Sequence, residues 1–440
     1  MRVPIHILLF VAIVLSVANL SAQGLVAVQN YSADFKTEQP LTFSITSQGG
    51  YDALSYRVNS PFVEDIESAY VQGGFGVAYT DVDQTTPWTF SLDTSVIHYV
   101  DGVPRFDDTF YNARANFSFE HRFSERLRIS NNFFLTYGVE PNNAFGASTT
   151  LWNGQFLYGY NNFNVSYAWT PRFSTTTSYT VDGIAYEDDI VATPEDRYTH
   201  LFAQQFSFAI SKRTSLVAEY RYRMMIFDKA VGKDINSHFA LAGVDHAWSE
   251  RMSGSARAGA EFYSSDRSDE VGPYAETALN YSVDRQTMVR WFAALGFNGA
   301  ELAAFSSRYG LNTGIQVNHN ITKRFSVNSG ASYSYSQFDS GGAGDVTEHS
   351  ALLSAGLGYQ LLENLNLNAN YSYSFLDSSD ALREFDRHRV SLGATASFCS
   401  PRQQPEHPIR RRAASIHELP LAAFSECIVS FSKHLTPTWA

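Results

Sequence analysis

The chemistry-bearing residues of this chain recur in phase. Arg114, Arg122, Arg128, Arg221, Arg223, Arg257, Arg290, Arg387 and Arg389 fall at positions that an extended chain of alternating polarity turns to its polar side. Glu120, Glu219, Glu261 and Glu276 share that phase. Charged side chains ringing a passage discriminate ions, and an arginine excess would favour anions. The same charges could instead pair across strands and hold a wall together. Neither arrangement is catalytic. Glu187-Asp188-Asp189 could hold a hard cation through oxygen, but it lacks the spacing of a calcium loop and reads as solvated loop. His98, His121, His319 and His388 sit in the apolar phase, while His200, His238 and His246 fall in stretches of unclear phase. Asp245 and His246 are neighbours, so on a strand they face opposite ways. No nucleophile elbow and no zinc-ligand spacing is present, so no catalytic, cofactor or metal site is expected.

The bulk properties narrow the class. A formal net charge of -12 argues against a nucleic-acid binder. Both cysteines, Cys399 and Cys427, fall near the end of the chain, which removes disulfides, thiolate zinc sites and cysteine nucleophiles from the main body. Aromatics reach 15%, a content suited to strands and to interfacial girdles.

The elements that would position these charges are long strands. From Asn364 to Phe375 every second residue is Asn or Ser and the others are Leu, Ala, Tyr or Phe. Such a run exceeds an average globular strand and suffices to cross a tilted bilayer. Tyr111 to Phe123, Leu127 to Leu135 and Val390 to Phe398 alternate in the same way. Short polar turns recur about every 40 residues. They are Asp83–Pro87, Ser124–Arg126, Thr170–Arg172, Ser211–Arg213, Ser249–Arg251, Asp284–Gln286, Thr322–Arg324 and Glu363–Asn364. Longer, variable breaks lie between them, as at 138–153, 182–197 and 339–347. Short turns on one side and long loops on the other fit an all-β, transmembrane, antiparallel up-and-down barrel better than a propeller or a sandwich. Eight turns join sixteen strands, and one strand at each end, near 41–51 and 386–398, brings the expectation to about eighteen, with sixteen the alternative. That width leaves an aqueous channel. Ser, Asn and Gly on the polar faces, among them Asn312, Gln316, Ser332 and Ser354, suggest a hydrated lumen. Trp88, Phe123, Trp169, Phe173, Trp248, Phe325 and Phe398 gather at the short-turn ends, as interfacial aromatics would.

The expected organisation has four parts. Residues 1–22 read as a signal peptide, with Arg2 ahead of an apolar core from Ile5 to Val17 and small residues at Ala18 and Ala22. Residues 23–40 form a short periplasmic lead, too short for a plug domain, and 41–398 the barrel. Residues 399–440 are an atypical, disordered tail that carries Arg410-Arg411-Arg412, several prolines and no alternation.

The run Phe117-Ser118-Phe119-Glu120-His121-Arg122-Phe123-Ser124-Glu125-Arg126-Leu127-Arg128 and the closing stretch from Arg389 to Phe398 resemble bacterial outer-membrane β-barrels. The nearest resemblance is to porins of the putative β-barrel porin 2 type. It implies a Gram-negative outer-membrane porin that passes small hydrophilic solutes by passive diffusion. It also implies lipid and lipopolysaccharide contacts, possible homo-oligomers and no enzymatic activity. Val390, Leu392, Ala394, Ala396 and Phe398 match the terminal-strand signal read by the barrel-assembly machinery, although here the chain continues past it. Two rival functions remain: a structural or adhesive barrel that displays its extracellular loops, and an outer-membrane hydrolase.

Overall fold

A computed structural model describes residues 41–57, 65–83, 85–103, 108–139, 155–187, 196–230, 232–266, 269–298, 307–339 and 346–399. Eighteen strands follow one another along the chain. They are β1 (Leu41–Tyr56), β2 (Ile66–Asp81), β3 (Trp88–Tyr99), β4 (Thr109–Arg122), β5 (Leu127–Gly138) and β6 (Phe156–Ala168). Then come β7 (Phe173–Tyr186), β8 (Arg197–Ala209), β9 (Thr214–Phe227), β10 (Ile235–Ala247), β11 (Met252–Ser265) and β12 (Asp269–Ser282). The last six are β13 (Thr287–Asn298), β14 (Ser307–Asn320), β15 (Phe325–Asp339), β16 (Val346–Leu362), β17 (Leu365–Ser378) and β18 (Phe385–Cys399). Each pairs antiparallel with its sequence neighbours, and β1 also pairs with β18, for instance Tyr51 opposite Val390. The sheet therefore closes on itself and leaves no free edge, as a wall in lipid requires. Strands run from 12 residues in β3 to 17 in β16, enough to cross a bilayer at a tilt.

All eight anticipated turns join the strand pairs expected of them, and the Asn-Leu run forms most of β17. Two boundaries differ. β1 continues through Tyr56, past the expected limit at 51, and β7 continues through Tyr186, so Asp182 is a strand residue opposite Thr199 rather than the start of a loop. Polarity misled there: Asp52 and Asp182 look like loop residues but occupy inward strand positions. The signal peptide, the periplasmic lead and the tail beyond residue 399 lie outside the described residues, as do most of the two longest breaks.

The alternation resolves into an outward apolar face and an inward face. In β10, Ser237, Phe239 and Leu241 are buried while His238, Ala240 and Ala242 are exposed. Phe202, Phe206, Phe208, Leu353, Leu357 and Leu392 are among the large apolar side chains left open outside. A continuous apolar belt of this kind is stable only against lipid.

The inward face is not uniformly polar, contrary to the expected hydrated lumen. Near the long-loop ends three apolar clusters are buried. The largest joins Leu54, Ile66, Tyr70, Ile97, Tyr99 and Phe110 to Leu376 and Phe385. A second holds Phe134, Phe156, Tyr158, Ile184 and Tyr186, and a third Phe227, Ile235, Tyr263 and Phe297. Ion pairs such as Asp52–Arg387, Glu348–Arg383 and Arg223–Glu261 lie among or beside these clusters, and Ser, Thr, Asn and Gln are frequent nearer the short turns.

Candidate functional site: the barrel lumen

The inward charges assemble into networks that sequence phase alone could not pair. On the wall from β9 to β13, Arg221 donates through Nε to Glu219 (2.6 Å) and through both terminal nitrogens to Glu276 (2.5 and 2.9 Å). Tyr274 donates its hydroxyl hydrogen to the same Glu276 at 2.7 Å. Arg257 pairs with Asp245 at 2.8 Å and approaches Glu219 at 3.7 Å. Arg223 pairs with Glu261 at 2.5 Å, lies over the Phe239 ring, and donates to the Phe297 carbonyl. Glu261 in turn accepts the Phe297 N–H at 3.0 Å. The Arg221–Glu276 pair spans from β9 to β12, a reach that only the concave side of a curved sheet permits.

A second network fastens the seam where the barrel closes. Asp52 of β1 accepts a bidentate pair from Arg387 of β18, at 2.8 Å from Nε and 2.5 Å from Nη2. Tyr99 donates to Asp52 at 3.0 Å, and Arg389 approaches it at 3.8 Å while hydrogen-bonding Tyr70. Glu348 of β16 is bound by Arg383, which a short 3-10 turn at Ala381–Arg383 brings inward. Sequence reasoning missed Asp52 because it ended β1 at residue 51, five residues short of Tyr56. It missed Arg383 and Glu348 because nothing in strand periodicity places a loop arginine over a strand.

The remaining predicted pore-lining residues are more open. Glu120 is shared by Arg122 (2.9 Å) and Arg128 (4.0 Å), both about half exposed. Arg114 lies over the Phe134 ring, its carbon 4.7 Å from the centroid. Arg290 has no ion-pair partner among the described residues. Arg122, Arg128, Arg221, Arg257 and Arg290, together with turn residue Arg126, border one cavity of about 990 Å³ in the short-turn half. Glu125, Glu219, Asp245 and Glu276 are the carboxylates on that cavity. A second cavity of about 390 Å³ lies against β1 to β6, where Gln48 donates to Gln72 and Gln72 to Ser95 beside Arg114 and Asp93.

Among the described residues, no acid–base constellation accompanies these charges. The eight histidines among the described residues, at 98, 121, 200, 238, 246, 319, 349 and 388, all bond a Tyr or Thr hydroxyl through Nδ1, seven of them on the neighbouring strand and His121 at Thr86 in the β2–β3 turn. That places the three of unclear phase on the outer face with the rest. Among the described residues, no group of three or more His, Cys, Asp or Glu side chains is placed to hold a metal ion. Of the acidic run, Glu187 is described and accepts a hydrogen bond from the Tyr137 hydroxyl at 2.8 Å, and the acidic residue Asp196 at the far side of that break is described as well. It accepts the Tyr186 N–H at 2.8 Å, and burial pushes its carboxyl up to about 6.

Closed topology, lipid-facing exterior and charged, cavity-bearing interior together define a wide transmembrane β-barrel with a channel-forming wall. The family model described as Putative beta-barrel porin 2 matches residues 156–398, and the chain belongs to that family. It is therefore an outer-membrane porin, whose family and fold point to a channel. Solved structures similar to the chain include Acinetobacter baumannii OccAB4, at 10% identity over 82% of this chain and 99% of that one, with a TM-score of 0.42. A BenF-like porin from Pseudomonas fluorescens Pf-5 matches at 10% identity over 81% and 99%, TM-score 0.44. Pseudomonas aeruginosa OccK9 matches at 8% identity over 81% and 98%, TM-score 0.44. No curated protein matches the chain significantly.

Proposed function

We propose that this porin passes small hydrophilic solutes by passive diffusion with a weak preference for anions. The observation that carries the preference is the charge balance of the larger cavity, where six arginines face four carboxylates. Arg221 and Arg257 are consumed by Glu219, Asp245 and Glu276. Arg290 and Arg126 have no ion-pair partner among the described residues, and Arg122 and Arg128 share a single Glu120. Unpaired cations in a confined passage attract counter-ions even when the whole chain is acidic. The pore-lining set then divides by role. Glu219, Arg221, Arg223, Arg257, Glu261, Arg387 and Arg389 stiffen the wall, and Arg114, Glu120, Arg122, Arg128 and Arg290 meet the solute.

The same reading assigns residues 1–22 to export, 41–398 to the barrel, and the outward Val390, Leu392, Ala394, Ala396 and Phe398 to recognition by the assembly machinery. Lipopolysaccharide contact and self-association belong to the reading as well. Reversal potentials of the purified protein in planar bilayers under a potassium chloride gradient test the preference. Anion selectivity that falls in Arg290→Gln is expected, and clear cation selectivity of the unsubstituted protein refutes it.

A further inference from the structure

The short-turn rim repeats one device that the lumen does not use. Five hairpins share a six-residue pattern: an aromatic or histidine, any residue, a large apolar residue, Ser or Thr, any residue, then Arg. The apolar residues are Phe123, Trp169, Ile210, Trp248 and Ile321, all exposed on the lipid side. The arginines are Arg126, Arg172, Arg213, Arg251 and Arg324. In each turn the Ser or Thr hydroxyl accepts the backbone N–H of that arginine, at 3.1 to 3.3 Å. The cap fixes the arginine in the same place relative to the apolar anchor five times over. Arg213 and Arg251 also donate to a backbone carbonyl in the next hairpin of the rim, those of Trp248 and Val283.

The rim is electrically opposite to the chain as a whole. The six turns between β4 and β15 carry eight basic side chains and three carboxylates, whereas the chain has a net charge of -12. The other two turns, at Asp83 and Glu363, have no basic residue. A large apolar side chain at the rim dips towards acyl chains, and an arginine three residues on then sits at headgroup depth.

We propose that this arc is a binding surface for anionic phospholipid headgroups of the periplasmic leaflet. The guanidinium groups take the phosphates, and the neighbouring Trp, Phe and Ile side chains hold the acyl chains. Phosphate suits a planar guanidinium fork, and the charge excess favours lipids of net negative charge over zwitterionic ones. Each basic group near such a surface contributes about fivefold in binding, by the ~1 kcal/mol attraction of one cation to an anionic leaflet.

The test uses the full-length protein in vesicles of equimolar phosphatidylcholine and phosphatidylglycerol. Native mass spectrometry counts the lipids that stay bound on release. Preferential retention of phosphatidylglycerol is expected. It should fall towards parity in Arg172→Gln/Arg213→Gln/Arg251→Gln/Arg324→Gln and persist in the matching Lys variant. Single Arg172→Gln and Arg324→Gln proteins, checked for the folded heat-modifiable gel form, keep the test informative if the quadruple variant does not assemble. No preference in the unsubstituted protein overturns the proposal. So does an unchanged preference in folded Gln variants, and loss of binding only to isolated peptidoglycan would assign the rim to the cell wall instead. Arg126 is left intact because it borders the cavity. Conductance in neutral lipid should not change, so this test and the selectivity test fail independently.

Discussion

Replacing Asp52 by Asn should loosen the barrel at its closing seam. Asp52 has no solvent-exposed side-chain surface and Arg387 only 6%. At this depth the substitution removes the carboxylate that holds Arg387 in two hydrogen bonds and that Arg389 approaches at 3.8 Å. Two opposite charges about 4 Å apart attract by ~4 kcal/mol at an effective dielectric near 20. Asparagine keeps one acceptor oxygen but turns an amide NH₂ towards the arginine, so one of the two charge-assisted hydrogen bonds is lost as well. Breaking one side of a buried pair costs about 3–5 kcal/mol, and we expect a value in that range. The assay is urea-induced unfolding of the protein in lipid vesicles, followed by tryptophan fluorescence and by the gel shift of the folded barrel. Arg387→Gln should cost a similar amount. The double variant should cost much less than the sum, because each single change already breaks the same pair. A loss below about 1 kcal/mol for Asp52→Asn, or strict additivity in the cycle, would refute the view that this pair holds the seam.

Other perturbations probe different links. Gly259→Ala should block assembly: a Cβ there would lie 1.9 Å from the Ala240 carbonyl oxygen, forcing β10 and β11 apart at a cost of about 3 kcal/mol. Gly73→Ala, with nothing within 4 Å, should be neutral, and the folded gel form reads out both. Thr170→Ala removes the acceptor for the N–H groups of Arg172 and Phe173 and should cost about 1 kcal/mol in the same urea assay. The carboxyl of Asp196, raised by burial to about 6, binds its proton more tightly folded than unfolded. Its segment should therefore gain stability as pH falls from about 6 towards 4 and lose it as pH rises through that window. Hydrogen exchange at the Tyr186 amide should show this slope, and Asp196→Asn should abolish it.

Much of the architecture was legible because lipid and water impose a two-residue period on every strand. The polar turns marked the strand ends on the short-turn side, where each connection is short and seven of the eight are capped by their own Ser, Thr or Asp. Boundaries on the other side were obscured at Asp52 and Asp182, which are polar yet inward-facing. The histidines show the same limit: three lay in stretches whose period was weak, and only the pairing of strands placed their rings outside.

Sequence alone determined the strand period, the eight short turns and the even number of strands, because these depend on local polarity and on turn chemistry. It also supplied the list of inward charges. Closure of β1 on β18, the reach of Arg221 from β9 to Glu276 on β12, and the apolar clusters under the long-loop ends were decided only in three dimensions. Each depends on the curvature of the closed sheet, which brings inward side chains of different strands together and is encoded in no single stretch of chain.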